Sequence, residues 1–496
     1  MNYYSTRNIN LKVLSAGAIV KGLAPDGGLF VPETLPEVKM TEILALSEMT
    51  YNERAFYILS KFLTDFSEAE LKDCVSKAYT VEKFGTSEIA PVHKLNDEEY
   101  ILELWHGPTC AFKDMALQIL PHLLTKSSEK EGNKNEIAIL VATSGDTGKA
   151  ALEGFCDVKG TKIAVFYPRD GVSQIQKLQM VTQKGENVAV FAVEGNFDDA
   201  QSGVKRIFTS KEMAEILDKR GVSLSSANSI NWGRLVPQIV YYFSAYADLL
   251  KKGDIKAGEK INIVVPTGNF GNILAAYYGM KMGLPVAKLI CASNMNNVLT
   301  DFINEGVYDK NRDFNVTISP SMDILISSNL ERFLFDISGK DDKKIAGFME
   351  KLAKEGKYDV GEELLAKIKE ILIGKCCDDE KTVETIKEVF KKYGYVADTH
   401  TAVAIAAYEE YKKESGDNTK TVIASTANPY KFSKSVLKAV DEDKVCDDEF
   451  EIIKSLKEVS GMEVPMSLAE LSEKEVRFTK ECKPLGMEEA VLDFLK

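Results

Sequence analysis

The chain has 496 residues, 45% of them hydrophobic and 28% charged, with a formal net charge of -13. Such a length fills more than one hydrophobic core, so two or three domains are expected. The acidic balance argues against nucleic acid and anionic membranes, which favour a basic face, and no apolar run is long enough to span a bilayer. The first residues, Met1-Asn2-Tyr3-Tyr4, lack a basic and then apolar leader, and a cytoplasmic protein is expected. Residues 1–95 read as a separate, largely helical unit entered through the turn Pro25-Asp26-Gly27-Gly28.

The next segment carries chemistry. Glu99-Tyr100-Ile101-Leu102-Glu103-Leu104-Trp105 alternates as a half-buried strand does, and Met115, Leu117, Ile119 and Leu120 continue as an apolar helix. Between them lies His106-Gly107-Pro108-Thr109-Cys110-Ala111-Phe112-Lys113-Asp114, which puts Lys113 near a helix N-terminus. Backbone N–H groups and the helix dipole disfavour an ammonium there, and desolvation lowers its pKa further, as suits an amine that attacks an aldehyde. A lone lysine is nearly always a solvated surface charge, so the weight falls on its companions.

Two further junctions have the same form. Glu136-Ile137-Ala138-Ile139-Leu140-Val141-Ala142 leads through Thr143-Ser144-Gly145-Asp146-Thr147-Gly148 into a helix. A Walker loop fails here at Thr143 and Ala150, and a dinucleotide fingerprint has only Gly145 and Gly148. What remains is a turn rich in hydroxyl and N–H donors, suited to a carboxylate or phosphate. Ile163–Tyr167 and Val188–Val193 read as buried strands, each followed by a helix, which supports a parallel sheet with covered faces. Ile261-Asn262-Ile263-Val264-Val265-Pro266, then Thr267-Gly268-Asn269-Phe270-Gly271-Asn272, then a second apolar helix, makes an anion cradle of glycine turn and helix N-terminus.

In this order the segments resemble the fold-type II pyridoxal-phosphate enzymes, and within them the threonine synthase family. The likeness begins at Tyr4-Ser5-Thr6-Arg7 and Gly22-Leu23-Ala24-Pro25-Asp26-Gly27-Gly28-Leu29-Phe30-Val31-Pro32. It continues through Asn228-Ser229-Ile230-Asn231-Trp232-Gly233-Arg234, Ser319-Pro320-Ser321-Met322-Asp323-Ile324, Asp398-Thr399-His400-Thr401-Ala402-Val403 and Ser425-Thr426-Ala427-Asn428-Pro429, ending near Phe432. The resemblance implies an α/β fold of the tryptophan synthase beta type, with parallel sheets covered by helices and an extra N-terminal domain. The expected domains are 1–95, a catalytic core over 96–440 containing a smaller mobile domain at about 135–235, and a helical tail over 441–496.

The family's site residues carry over by position. Lys113 is implied as the lysine that carries pyridoxal 5'-phosphate and later moves protons. Gly268, Asn269, Phe270, Gly271 and Asn272 would hold the cofactor phosphate. Asp146 stands where relatives often have an asparagine at the ring hydroxyl, and Thr426 where a hydroxyl meets the pyridine nitrogen, a softer electron sink than an aspartate there provides. Relatives often have His at Asn428 and Pro at Thr399. Ser144 and Thr147 are candidates for the substrate carboxylate, and Asn228, Ser229, Asn231 and Arg234 for its phosphate.

The reaction so implied converts O-phospho-L-homoserine and water to L-threonine and phosphate. A phospholyase giving 2-oxobutyrate shares the early steps, and a non-catalytic relative would have no need of Lys113. The expected assembly is a monomer or homodimer. Eight cysteines without a C-x-x-C pair read as reduced, and His93, His106, His122 and His400 lack ligand spacing, so no metal is expected. Cys110 has no acid or histidine placed to make it a nucleophile. Residues 338–392 turn to Lys, Glu and Asp with helical apolar spacing at Ile345, Phe348, Met349 and Leu352, the solvated face of ordinary helices.

Overall fold

A computed structural model describes residues 1–143, 145–170 and 172–496. Its largest sheet runs in the order Leu372–Cys376, Val286–Ser293, Ile261–Pro266, Thr421–Ser425, Glu99–Glu103, Val92–Lys94. All neighbours pair in parallel except the last two strands. In the strand Ile261–Pro266, Ile263 and Val265 face one apolar core and Val264 faces the other. Alternation between two buried faces explains why the strand is apolar throughout, each such side chain contributing about 1.5–3 kcal/mol.

A second, wholly parallel sheet runs Glu481–Cys482, Val188–Val193, Thr161–Pro168, Glu136–Ala142, Val222–Ser225. The strands expected around 163–167 and 188–193 lie here, and the α/β class with helix-covered parallel sheets is as expected. The end of the chain belongs to this sheet. Cys482 pairs beside Val193, and Met487 and Val491 pack in its core.

The first 95 residues contain the expected helices, with starts built from local chemistry. Thr50 with Glu53 and Ser67 with Glu70 form capping boxes for Tyr51–Phe62 and Glu68–Ala78. They also contain a three-stranded antiparallel sheet of Asn8–Leu14, Asn2–Ser5 and Phe30–Pro32, which the sequence reading did not anticipate. Asp26 Oδ1 accepts from Ser5 Oγ at 2.8 Å and from Gly28 N at 2.9 Å, and a Cβ on Gly28 would collide with Ser5 Oγ. This region shares its core with the rest: Tyr3 and Phe62 pack against Trp232, and buried Arg54 pairs with Asp248 at 2.7 Å.

Residues 338–392 form the helices Asp342–Glu355, Glu362–Ile371 and Asp379–Tyr393, with Ile345 and Phe348 buried. Between the last two lies Leu372–Cys376, an edge strand of the large sheet that the charged composition concealed. Among the described residues no helix is long and apolar enough to cross a membrane.

Candidate active site

Three loops leave the carboxyl ends of adjacent parallel strands in the large sheet. Glu99–Glu103 leads to Lys113, Thr421–Ser425 to Thr426, and Ile261–Pro266 to the Gly268 loop. Carboxyl ends of parallel strands are where ligands bind in open α/β sheets. The first two loops are stitched together: Phe112 N donates to Thr426 O at 2.8 Å and Asn428 N to Cys110 O at 3.0 Å. Cys110 takes a left-handed turn between them, φ 61°. Burial pushes its thiol up to about 11, so it is no thiolate nucleophile.

Lys113 is buried at the start of the short helix Asp114–Leu117. Its Nζ lies 3.2 Å from Ser321 Oγ and 3.5 Å from Asp146 Oδ2. Burial pulls its amine below the ordinary lysine value, and the cations of Lys431 and Arg234 add to that while Asp146 opposes it. Asp146 comes from the other sheet, as the first residue of the helix Asp146–Phe155. Burial alone would raise its carboxyl, but Lys431 and Lys113 outweigh that and hold it well below the usual range.

The Gly268 loop is cradle-shaped. Phe270 at φ 61° turns the chain into Gly271–Met282, whose first N–H groups have no intrahelical acceptor. Gly268 passes so close to the 320–322 turn that a Cβ there would stand 2.8 Å from Ser321 O. A Cβ on Gly271 would instead meet nothing nearer than Asn329 Nδ2 at 3.5 Å. Asn272 accepts from Tyr241 at 2.6 Å and Tyr242 at 2.5 Å through Oδ1, and its buried Nδ2 has no acceptor. Asn269 itself is exposed, with its carbonyl held by Asn329 N at 3.1 Å.

Arg234 is the unusual cation. It is buried, donates to Ala227 O at 2.9 Å, and has no carboxylate within ion-pair distance among the described residues. Two other buried arginines are satisfied: Arg332 by Phe30 O, Asn329 Oδ1 and Ile230 O, and Arg54 by Leu46 O, Ser244 and Asp248. Burial pulls the Arg234 guanidinium down to about 10.

The residues before it divide. Asn228 is exposed and Ser229 half-buried. Asn231 does not belong among substrate donors: its Nδ2 gives both hydrogens, to Ile19 O and Ser226 O, and its Oδ1 caps Gly233 N. Thr147 lies one residue past Asp146, half-buried, and Ser144 lies outside the described residues. Thr426 and Asn428 are buried, the latter with an unpartnered Nδ2.

Sequence reasoning missed three members. Lys431, fully buried, sits 2.8 Å from Asp146 Oδ1, and Gln176 Nε2 donates to the same oxygen at 3.2 Å. Ser321 offers its hydroxyl to Lys113, while its N–H donates to His400 Nε2 at 3.1 Å and His400 Nδ1 contacts Asp398 at 2.9 Å. That pairing fixes His400 as a support for the turn. Ser321, His400 and Asp398 stood inside segments already singled out, so the signal was present, whereas nothing local marks a lysine for burial.

Comparison with known proteins matches the family "Threonine synthase N terminus" over residues 2–79, "Pyridoxal-phosphate dependent enzyme" over 87–363 and "Threonine synthase, C-terminal" over 401–485. The chain is 39% identical over 440 residues to threonine synthase of Pseudomonas aeruginosa, covering 88% of this chain and 90% of that protein. It is 41% identical over 433 residues to human threonine synthase-like 1, covering 85% of this chain but only 57% of that longer relative. The crystal structure of pyridoxal-phosphate-bound threonine synthase from Brucella melitensis superposes with a TM-score of 0.89 at 34% identity, covering all of both chains. The chain belongs to the threonine synthase family of pyridoxal-phosphate-dependent enzymes.

Proposed function

We propose that this protein converts O-phospho-L-homoserine and water to L-threonine and phosphate, using pyridoxal 5'-phosphate held by Lys113. The observation that carries the reading is Arg234, a buried guanidinium with one hydrogen bond and no acid partner among the described residues, in the electrostatic field of a buried lysine of lowered basicity. A site with that vacancy of negative charge suits a substrate that brings a phosphate and a carboxylate.

The residues fit the cofactor. The unpartnered Asn272 Nδ2 and the N–H groups at Gly271, where a Cβ would make only ordinary contacts with Asn329 and Gln238, suit its phosphate, and Thr426 would meet the ring nitrogen. When bound, pyridoxal phosphate supplies an electron sink that stabilises negative charge on the substrate carbon next to the amine.

The chain's own groups do the rest. The Lys113 amine would take the proton from that carbon and return it, with the Ser321 hydroxyl 3.2 Å away to hold it in place. Asp146, held ionised by Lys431 and Lys113, would accept from the cofactor's ring hydroxyl. Arg234, with Ser229 and Asn228 on the same loop, neutralises the phosphate as it leaves. Thr147, one residue past Asp146, is the candidate for the carboxylate. The 135–235 region, which contributes Asp146 and the Asn228 loop, moves as a unit against the rest and excludes water until it is needed.

The purified protein incubated with pyridoxal phosphate and O-phospho-L-homoserine tests this by mass spectrometry. Threonine with equal phosphate supports the reading; 2-oxobutyrate replaces it with the phospholyase. Borohydride reduction of the loaded protein fixes the cofactor on Lys113, and a label on any other lysine overturns the assignment.

A further inference from the structure

Two ammonium groups meet one carboxylate in this site. Lys431 Nζ lies 2.8 Å from Asp146 Oδ1, and Lys113 Nζ lies 3.5 Å from Oδ2. Lys431 has no exposed side-chain surface, and its other donations go to Thr109 O at 3.0 Å and Gln179 Oε1 at 3.3 Å. An ammonium has three donors, so Lys431 has none left for a ligand. It is a cation built into the fold, and its bond to Thr109 ties it to the turn that carries Lys113.

A carboxylate's charge can be neutralised only once. Lys431 makes a short charge-assisted hydrogen bond to Asp146, whereas the contact from Lys113 is too long to be a good one. We propose that Lys431 is a positioning residue, the standing counter-ion of Asp146, and that by occupying this carboxylate it leaves the Lys113 amine free to shed its proton and react. The inference rests on the reading of Lys113 as the cofactor-bearing amine.

The other groups facing the pair agree with it. Arg234 adds a second cation toward Lys113, and the His400 ring, whose Nε2 accepts from Ser321 N, stands toward Asp146. Asp114 is tied inside its own turn by Thr109 N and Oγ1, both at 2.8 Å, with Glu153 beyond it. Without Lys431, Asp146 would be left to pair with Lys113, and the proton would stay on the amine.

The test uses the full chain freed of pyridoxal phosphate and trace-labelled with acetic anhydride across a pH series, with acetylation at Lys113 quantified by peptide mass spectrometry. Lys431→Met raises the pH midpoint for Lys113 by about one unit or more, so that below the midpoint labelling slows about tenfold. Lys431→Arg, which keeps the cation, stays near the parent. The double variant Lys431→Met with Asp146→Asn removes a matched buried pair, and such pairs can be exchanged for neutral groups with little loss of stability. Its midpoint returns to within about half a unit of the parent, each unit being a tenfold change in the equilibrium. A midpoint unmoved in Lys431→Met, or one that falls by a unit or more in the double variant, overturns the proposal. If Lys113 of the parent labels like a surface lysine, the reading of Lys113 itself fails instead.

Discussion

Replacing Arg234 with methionine separates function from stability in a way only an unpaired buried charge allows. The guanidinium is pulled by burial from its ordinary value down to about 10. At about 1.4 kcal/mol per pH unit, holding it charged in the fold costs about 3 kcal/mol. The sign is that of a base whose folded pKa is depressed, so the cost is fully present at neutral pH. Loss of the bond to Ala227 O gives back about 1–1.5 kcal/mol. The ligand-free Arg234→Met protein is therefore more stable than its parent by about 1–2 kcal/mol, a rise of about one or two degrees in Tm. Binding of inorganic phosphate goes the other way. Removing one partner of a buried charged hydrogen bond costs about 2–5 kcal/mol, which is thirtyfold or more in affinity. Calorimetric titration with phosphate and thermal melts with and without it read both effects. A variant that melts lower than the parent when empty, yet keeps its phosphate-dependent gain in Tm, refutes the assignment of Arg234 as the anion's partner.

The two glycines of the cradle should respond differently. Gly271→Ala leaves the ligand-free Tm unchanged or slightly raised, since its Cβ meets nothing closer than 3.5 Å, but weakens pyridoxal phosphate retention as measured by absorbance after dialysis. Gly268→Ala places a Cβ 2.8 Å from Ser321 O and lowers Tm even without ligand, by about 1–3 kcal/mol of strain. Away from the site, burial pulls the His122 imidazole down to about 4. Because the unfolded chain then binds more protons, stability falls as pH drops from about 6.5 to 4, by at most about 3 kcal/mol. His122→Leu flattens that part of the pH profile of Tm, and a profile identical to the parent's would show that His122 is not buried as a neutral ring.

What the sequence announced was what local chemistry dictates. The junctions at Lys113, Asp146 and Gly268 were legible because strand alternation, glycine and the following apolar helix all lie within twenty or so residues. Arg234 was visible as a candidate, but its want of an acid could be seen only in three dimensions. Lys431 was illegible because its burial depends on Asp146 and Thr109, which come from distant segments. Asn231 misled for the same reason: the carbonyl of Ile19, in the N-terminal region, takes one of its amide hydrogens. The edge strand Leu372–Cys376 follows directly on the helix Glu362–Ile371 with no turn between them, and only its pairing to Val286–Ser293 defines it.

The order of the large sheet has a bearing on how the chain is made. Glu99–Glu103, which leads to Lys113, and Ile261–Pro266, which leads to the phosphate cradle, never touch; Thr421–Ser425 lies between them. At ordinary rates of translation the ribosome needs on the order of ten seconds to travel from the second of these strands to the third. Until it does, two apolar strand edges, at Ile101 and Val264, stay open on the nascent chain, a template for aggregation. An amino-terminal fragment that ends before Thr421 lacks the site, and insertion of this strand closes both edges and brings Thr426 between the other two loops.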